Sequence, residues 1–147
     1  MPSGSRRRIL IVEDQAPVRR LIALWLHRNG FVTFEVGHAG EALAWLRSHA
    51  RSVDLAVIDL VGTNGLDLAA DLTRDSSHIP ILYISGYVDS LVAEAIGRRA
   101  PESLLLKPFT ERALIYRVRR LLRLPATAES ALEEPLDGPG TLQRRCG

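Results

Sequence analysis

Cysteine occurs once in the 147 residues, as Cys146. A single thiol builds neither an intrachain disulfide framework nor a cysteine-rich zinc site, and it fits a reducing setting. Long apolar runs are also missing, since none approaches the roughly 20 residues that span a bilayer. Met1 to Arg8 lead into a short apolar stretch, Ile9 to Val12, before Glu13 and Asp14 interrupt it. That is not the pattern of a secretory signal, so a cytoplasmic protein with no membrane partner is expected. Aromatic residues make up only 5% of the chain, and neither an aromatic-basic platform nor a helix-turn-helix pattern for nucleic acid is visible. Lysine is the oddest scarcity: of 19 basic residues 18 are arginine, and Lys107 is the exception.

What is present suits one domain with a sizeable core, 46% hydrophobic and 24% charged. The formal charge of +2 is unevenly spread. Residues 9–109 hold nine basic against twelve acidic side chains, whereas 110–124 hold five arginines against Glu111. The basic character therefore lies in the flanks, in Arg6 to Arg8 and in the last helical segment.

Short apolar runs recur at Ile9–Val12, Leu55–Ile58, Ile81–Ile84 and Leu104–Leu106, with a fifth candidate at Phe31–Val36. Between them lie segments of helical period, such as Val18, Leu21, Ile22 and Trp25, or Leu114, Val118, Leu121 and Leu122. Near-continuous apolar strands are what a parallel sheet covered on both faces requires. Five strands alternating with five helices then predict an open, doubly wound α/β sandwich. Asn29-Gly30 closes the first helix, Pro108 follows the fifth strand, and Thr110 is placed to cap the last helix. From Pro125 onwards, Pro and Gly fall among Ala, Glu and Thr. A flexible N-terminus over 1–6, a folded domain over 7–124 and a disordered tail over 125–147 are expected.

Ligands of such sheets bind beyond the carboxyl ends of the strands. Those ends carry Glu13-Asp14, Asp59, Ser85-Gly86 and Lys107-Pro108. Three converging carboxylates repel one another unless a hard divalent cation shares them, and Mg²⁺ is the usual answer. Lysine beside them can pair with a carboxylate and an incoming anion, and a serine hydroxyl can donate to a phosphoryl oxygen. Together they suit phosphoryl transfer to a carboxylate, with an aspartate as nucleophile. Each residue also has a plainer reading: Glu13-Asp14 as a helix cap, Ser85 as a turn residue, Lys107 as a solvated charge. Asp59 is harder to read plainly, because a carboxylate ending a buried strand is desolvated unless it has a partner.

Four segments, Ile9–Asp14 (ILIVED), Leu55–Leu60 (LAVIDL), Ile81–Tyr87 (ILYISGY) and Leu104–Phe109 (LLLKPF), resemble the receiver domains of two-component response regulators over about residues 7–124. Ile-Ser-Gly-Tyr is especially similar to receivers of hybrid histidine kinases. The resemblance implies a flavodoxin-like doubly wound (βα)5 sandwich with a five-stranded parallel sheet. It implies Asp59 as phosphoacceptor, Lys107 and Ser85 as the phosphoryl-binding lysine and switch hydroxyl, and Mg²⁺ held by Glu13, Asp14, Asp59 and the Val61 main-chain carbonyl. The implied phosphoryl donor is a histidine kinase or histidine phosphotransfer domain, and the implied output is contact with a downstream protein that the sequence does not name. Catalysis would be limited to self-catalysed phosphorylation and dephosphorylation of the aspartate.

Two departures stand out. The stretch from Asp59 to Gly65 is two residues shorter than the family's usual Asp-x-x-Met-Pro-x-x-Asp/Asn-Gly and lacks Met-Pro, a change that falls on the Val61 carbonyl first. Three positions before Lys107, where many receivers carry Tyr or Phe, stands Leu104. The family's output face, its fourth helix, fifth strand and fifth helix, would here be basic through Arg98, Arg99, Arg112, Arg117, Arg119, Arg120 and Arg123, and could serve a homodimer. A stand-alone receiver is the leading expectation. A degenerate receiver acting as a phosphorylation-independent binding module stays open, as does a nucleic-acid-binding protein using the basic last helix. A metal-dependent phosphohydrolase would want a second acid where Val61 stands.

Overall fold

Five strands alternate with five helices along the chain: β1 (Arg8–Val12), α1 (Ala16–Arg28), β2 (Val32–Val36), α2 (Ala39–His49), β3 (Leu55–Asp59), α3 (Gly65–Asp75), β4 (Ile81–Ser85), α4 (Leu91–Arg99), β5 (Leu104–Leu106) and α5 (Glu111–Leu121). The computed structural model describes residues 6–49, 52–60, 65–75, 79–86 and 91–125. Val61 and all but the first residue of the expected C-terminal tail lie outside the described residues, as do residues 1–5. The strands form one parallel sheet in the order β2-β1-β3-β4-β5. This is the doubly wound α/β architecture that the alternation predicts: β2 is added on one side of β1, and β3, β4 and β5 follow on the other.

Alternate residues of each inner strand feed opposite faces, as the period of two demands. Ile9 and Ile11 of β1, Leu55 and Val57 of β3, and Leu82 and Ile84 of β4 pack with Ile22 and Leu26 of α1 and Leu114 and Val118 of α5. Leu10 and Val12, Ala56 and Ile58, and Ile81 pack with Ala42 and Leu46 of α2 and Leu68 and Leu72 of α3. Both faces of β1 and β3 are thus sealed from water along Ile9–Val12 and Leu55–Ile58, which is why no polar residue interrupts those stretches.

The punctuation acts locally as the residue types suggest. Asn29 follows the last turn of α1, and Gly30 adopts φ +92, a backbone region that costs a glycine little. Thr110 caps α5, its hydroxyl accepting from the Ala113 amide at 3.1 Å. Just before that cap, Phe109 meets Trp25 of α1 edge-on, with ring centroids 6.1 Å apart. Glu111 accepts from Arg28 Nε at 2.6 Å and from Asn29 Nδ2 at 3.0 Å, tying the start of α5 to the end of α1.

Arg117 departs from the expected basic output face. It is 8% exposed and donates to the Pro101 carbonyl at 2.5 Å, in the 3-10 turn (Pro101–Ser103) that precedes β5. The reason is positional: Arg117 lies three residues after Leu114 and beside Val118, on the apolar stripe of α5. Arg119 donates to the Pro125 carbonyl at 2.8 and 2.6 Å, and Arg120 to Glu102 at 3.0 Å. Arg117, Arg119 and Arg120 are therefore engaged within the chain.

Leu104, at the position where an aromatic side chain was looked for, lies against α4. A Cβ placed on Gly97 would meet Leu104 Cδ2 at 3.4 Å, an ordinary contact. Since glycine inside a helix costs backbone entropy, Gly97→Ala is expected to stabilise the protein by about 0.5–1 kcal/mol. A chemical denaturation midpoint that moves upward checks this.

Candidate functional site

The crevice lies where the sheet order reverses, at the carboxyl ends of β1 and β3. Glu13 is the first residue beyond β1. Its amide donates to the Val36 carbonyl of β2 at 3.2 Å, and its carbonyl accepts from Arg19 of α1 at 2.7 Å. Its carboxylate is almost wholly buried, and Oε1 accepts from the Gln15 amide at 3.1 Å. Asp14 follows and is exposed. Asp59 ends β3 with 3% exposure, and its neighbour Leu60 donates its amide to the Ile84 carbonyl of β4 at 3.0 Å. One carboxylate oxygen from each of Glu13, Asp14 and Asp59 lies within 4.8 Å of the others.

Lys107, beyond β5, reaches across β4 into this group. Its Nζ lies 2.6 Å from Asp59 Oδ2 and 3.3 Å from Glu13 Oε2. The strand pairing sets that reach, because the Lys107 amide donates to the Ser85 carbonyl at 2.8 Å. Ser85 itself is buried at the end of β4, beside Ile84, the residue paired with Asp59. All of the described strand-end residues singled out in the sequence, Glu13, Asp14, Asp59, Ser85 and Lys107, thus gather on one edge of the sheet.

Electrostatics are out of balance there: three acidic groups face one ammonium. Burial, joined by a hydrogen bond and the charge of Asp59, pushes the Glu13 carboxyl from its ordinary 4.5 up to about 7, against the pull of the Gln15 amide and Lys107. Burial also opposes the charge on Lys107, but the hydrogen bonds and charges of Asp59 and Glu13 outweigh it, and the net shift is upward. A carboxyl whose pKa rises on folding gives stability that is present below its unfolded pKa and is lost as pH climbs through the folded value. For Glu13 that window runs from 4.5 to about 7. The metal-free protein is therefore expected to melt at a lower temperature at about pH 8 than at about pH 5.5, which thermal unfolding in a chelator checks. Three oxygen donors with more negative charge than one lysine balances are a fitting set for a hard divalent cation.

Against known proteins, the response regulator receiver domain family matches residues 9–119. The chain belongs to this family. The receiver is 36% identical to the alkaline phosphatase synthesis transcriptional regulatory protein SphR of Synechococcus elongatus, over 92% of this chain and 54% of that protein. It is 30% identical to the DNA-binding response regulator MtrA of Mycobacterium tuberculosis, over 97% of this chain and 64% of MtrA. The receiver thus spans between about half and two thirds of the curated relatives it matches. Among solved structures, a CheY-like receiver domain protein of Methanospirillum hungatei superposes with a TM-score of 0.71 at 24% identity, covering 81% of this chain and 95% of that one. That likeness supports the fold. No helix among the described residues is long and apolar enough to cross a membrane.

Arg19 is the residue at this site that the sequence reading passed over. Its signal was its distance from Asp14: a side chain in the first turns of a helix points back towards the N-terminal end, and here that is the end that meets the crevice. Among 18 arginines nothing in its composition marked it.

Proposed function

We propose that this receiver is a phosphorylation switch of a two-component phosphorelay, taking a phosphoryl group from a phosphohistidine onto Asp59. The observation that supports this most is the 2.6 Å contact between Lys107 Nζ and Asp59 Oδ2 within a cluster of three carboxylates. An Asp59 oxygen attacks phosphorus, the phosphorus–nitrogen bond of the donor histidine breaks, and imidazole leaves with that electron pair while an acyl phosphate forms on Asp59. Lys107, already beside Asp59, binds the transferred phosphoryl oxygens, and the Ser85 hydroxyl donates to one of them. Glu13, Asp14, Asp59 and the main-chain carbonyl of Val61 would hold Mg²⁺, which supplies neutralisation of the charge gathering on the phosphoryl group. Positioning and charge neutralisation account for the rate, so the receiver modifies itself and is no enzyme towards other molecules.

The donor is a histidine kinase or a histidine phosphotransfer domain, in the cytoplasm, and the output is a contact with a downstream protein. The engagement of Arg117, Arg119 and Arg120 within the chain weighs against the basic last helix as a nucleic-acid surface. MtrA's description as DNA-binding belongs to a longer protein. A homodimer would be formed through α4, β5 and α5.

Incubation with acetyl phosphate and Mg²⁺, followed by peptide mass mapping, tests the reading. One phosphoryl adduct on the peptide that carries Asp59, lost when Mg²⁺ is chelated, is expected. An unmodified protein would leave the phosphorylation-independent binding module as the better account. Because Mg²⁺ needs the Glu13 carboxylate ionised, its binding should release a proton near neutral pH, and Mg²⁺ should raise the melting temperature more at about pH 8 than at about pH 5.5.

A further inference from the structure

We infer that Arg19 is a positioning residue for the cation-binding carboxylates, acting through the peptide that joins Glu13 to Asp14. The inference rests on the reading of Glu13, Asp14 and Asp59 as the Mg²⁺ site. Arg19 NH1 donates to the Glu13 carbonyl at 2.7 Å, while its Nε lies 3.9 Å from Glu35 Oε1 on β2. Across the same residue, the Glu13 amide donates to the Val36 carbonyl of β2 at 3.2 Å. Glu13 is therefore held on both sides of its Cα, by β2 and by α1.

Peptide planarity carries this constraint one residue further. The Glu13 carbonyl and the Asp14 amide share one rigid plane, so fixing the oxygen fixes the direction in which Asp14 leaves the strand. Asp14 is exposed, and no core packing exists to aim it. Glu13, by contrast, is fixed by burial and by Gln15 and Lys107. Arg19 thus supplies to Asp14 the restraint that burial supplies to its neighbours.

The guanidinium suits the task because its planar, delocalised group donates to the carbonyl in a fixed direction while its charge faces a second acidic group. Glu35, 3.9 Å from Nε, balances the charge at longer range, while NH1 makes the hydrogen bond to the carbonyl. Arg20 provides the internal control: it lies 3.6 Å from the other oxygen of Glu35, carries the same charge and is mostly exposed.

The experiment is calorimetric titration of the full chain with Mg²⁺ alone, comparing wild type with Arg19→Met, Arg19→Lys and Arg20→Met. Partners that orient metal ligands commonly change affinity by about ten- to a hundredfold. Arg19→Met is expected to weaken Mg²⁺ binding by about tenfold or more, Arg19→Lys by less, and Arg20→Met by under about twofold. Raising Mg²⁺ from limiting to saturating concentration should recover more phosphoryl uptake from acetyl phosphate in Arg19→Met than in wild type, since the variant's loss lies in cation affinity while Asp59 itself is unchanged. Should Arg19→Met fail to fold, Arg19→Lys carries the test, because a single ammonium serves the carbonyl or Glu35 but not both in the same geometry. Wild-type affinity in the Arg19 variants overturns the inference alone, and so does an equal loss in Arg20→Met, which would make the effect one of charge. A wild type that binds no Mg²⁺ overturns the proposed function and this inference with it.

Discussion

Asp59→Asn is expected to reduce phosphoryl uptake from acetyl phosphate to the background of unreacted protein. The change is nearly isosteric and keeps an oxygen near Lys107, but a neutral amide oxygen is a poor nucleophile and the acyl phosphate has nowhere to form. Mg²⁺ binding should weaken as well, because one of three anionic oxygen donors becomes neutral. A second readout separates loss of chemistry from loss of fold. Asp59 contributes to raising Glu13 through both a hydrogen bond and its charge, whereas burial, the largest cause, remains in the variant. Glu13 in Asp59→Asn should therefore titrate below the wild-type value of about 7 but still above 4.5, and the fall in melting temperature between about pH 5.5 and about pH 8 should shrink. A phosphoryl adduct that survives in Asp59→Asn would move the acceptor elsewhere and end the proposal for this residue.

Much of this site could be read from the chain because a doubly wound sheet turns strand ends into an address. Ile9–Val12 and Leu55–Ile58 are apolar on both faces since both faces are covered, so the first polar residue after each run marks the rim. Glu13-Asp14 and Asp59 needed no further information to be brought together. Lys107 was legible for another reason, its rarity among 18 arginines. Arg117 went astray because its type was read before its spacing: an arginine three residues after Leu114 follows the buried stripe, and its polar end is satisfied by a carbonyl of a distant turn. Arg19 escaped because it acts on a main-chain oxygen, and main-chain acceptors leave no trace in residue type.

The departure at Leu104 has a packing account as well. With leucine there, the face of β5 meets α4 beside Gly97. An aromatic ring would need the space that Gly97 and Leu104 now share. The link between β5 and α4 at this position is therefore an aliphatic contact, with no aromatic ring to turn.

Lys107→Met is expected to destabilise the metal-free protein and to abolish function by separable routes. Lys107 is the ammonium between Asp59 and Glu13, both buried, and its own side chain is 24% exposed. Removing one partner of a buried ion pair costs about 3–5 kcal/mol, and partial exposure places this case at or below the lower end, about 2–3 kcal/mol at pH 8. The loss should be smaller at about pH 5.5, where Glu13 takes up a proton and relieves the repulsion. Since the Lys107 charge is one of the influences that lower Glu13, the variant's Glu13 should titrate above about 7 and extend the range over which stability falls. Mg²⁺ should restore much of the melting temperature, because a divalent cation replaces the missing positive charge among the carboxylates. Phosphoryl uptake should stay depressed by about a hundredfold even then, as expected when one fixed donor to developing negative charge is removed. Lys107→Arg should recover stability but not uptake, for a planar fork does not occupy the place of a compact ammonium. Full uptake in Lys107→Met at saturating Mg²⁺ would reduce the lysine to a charge-balancing role.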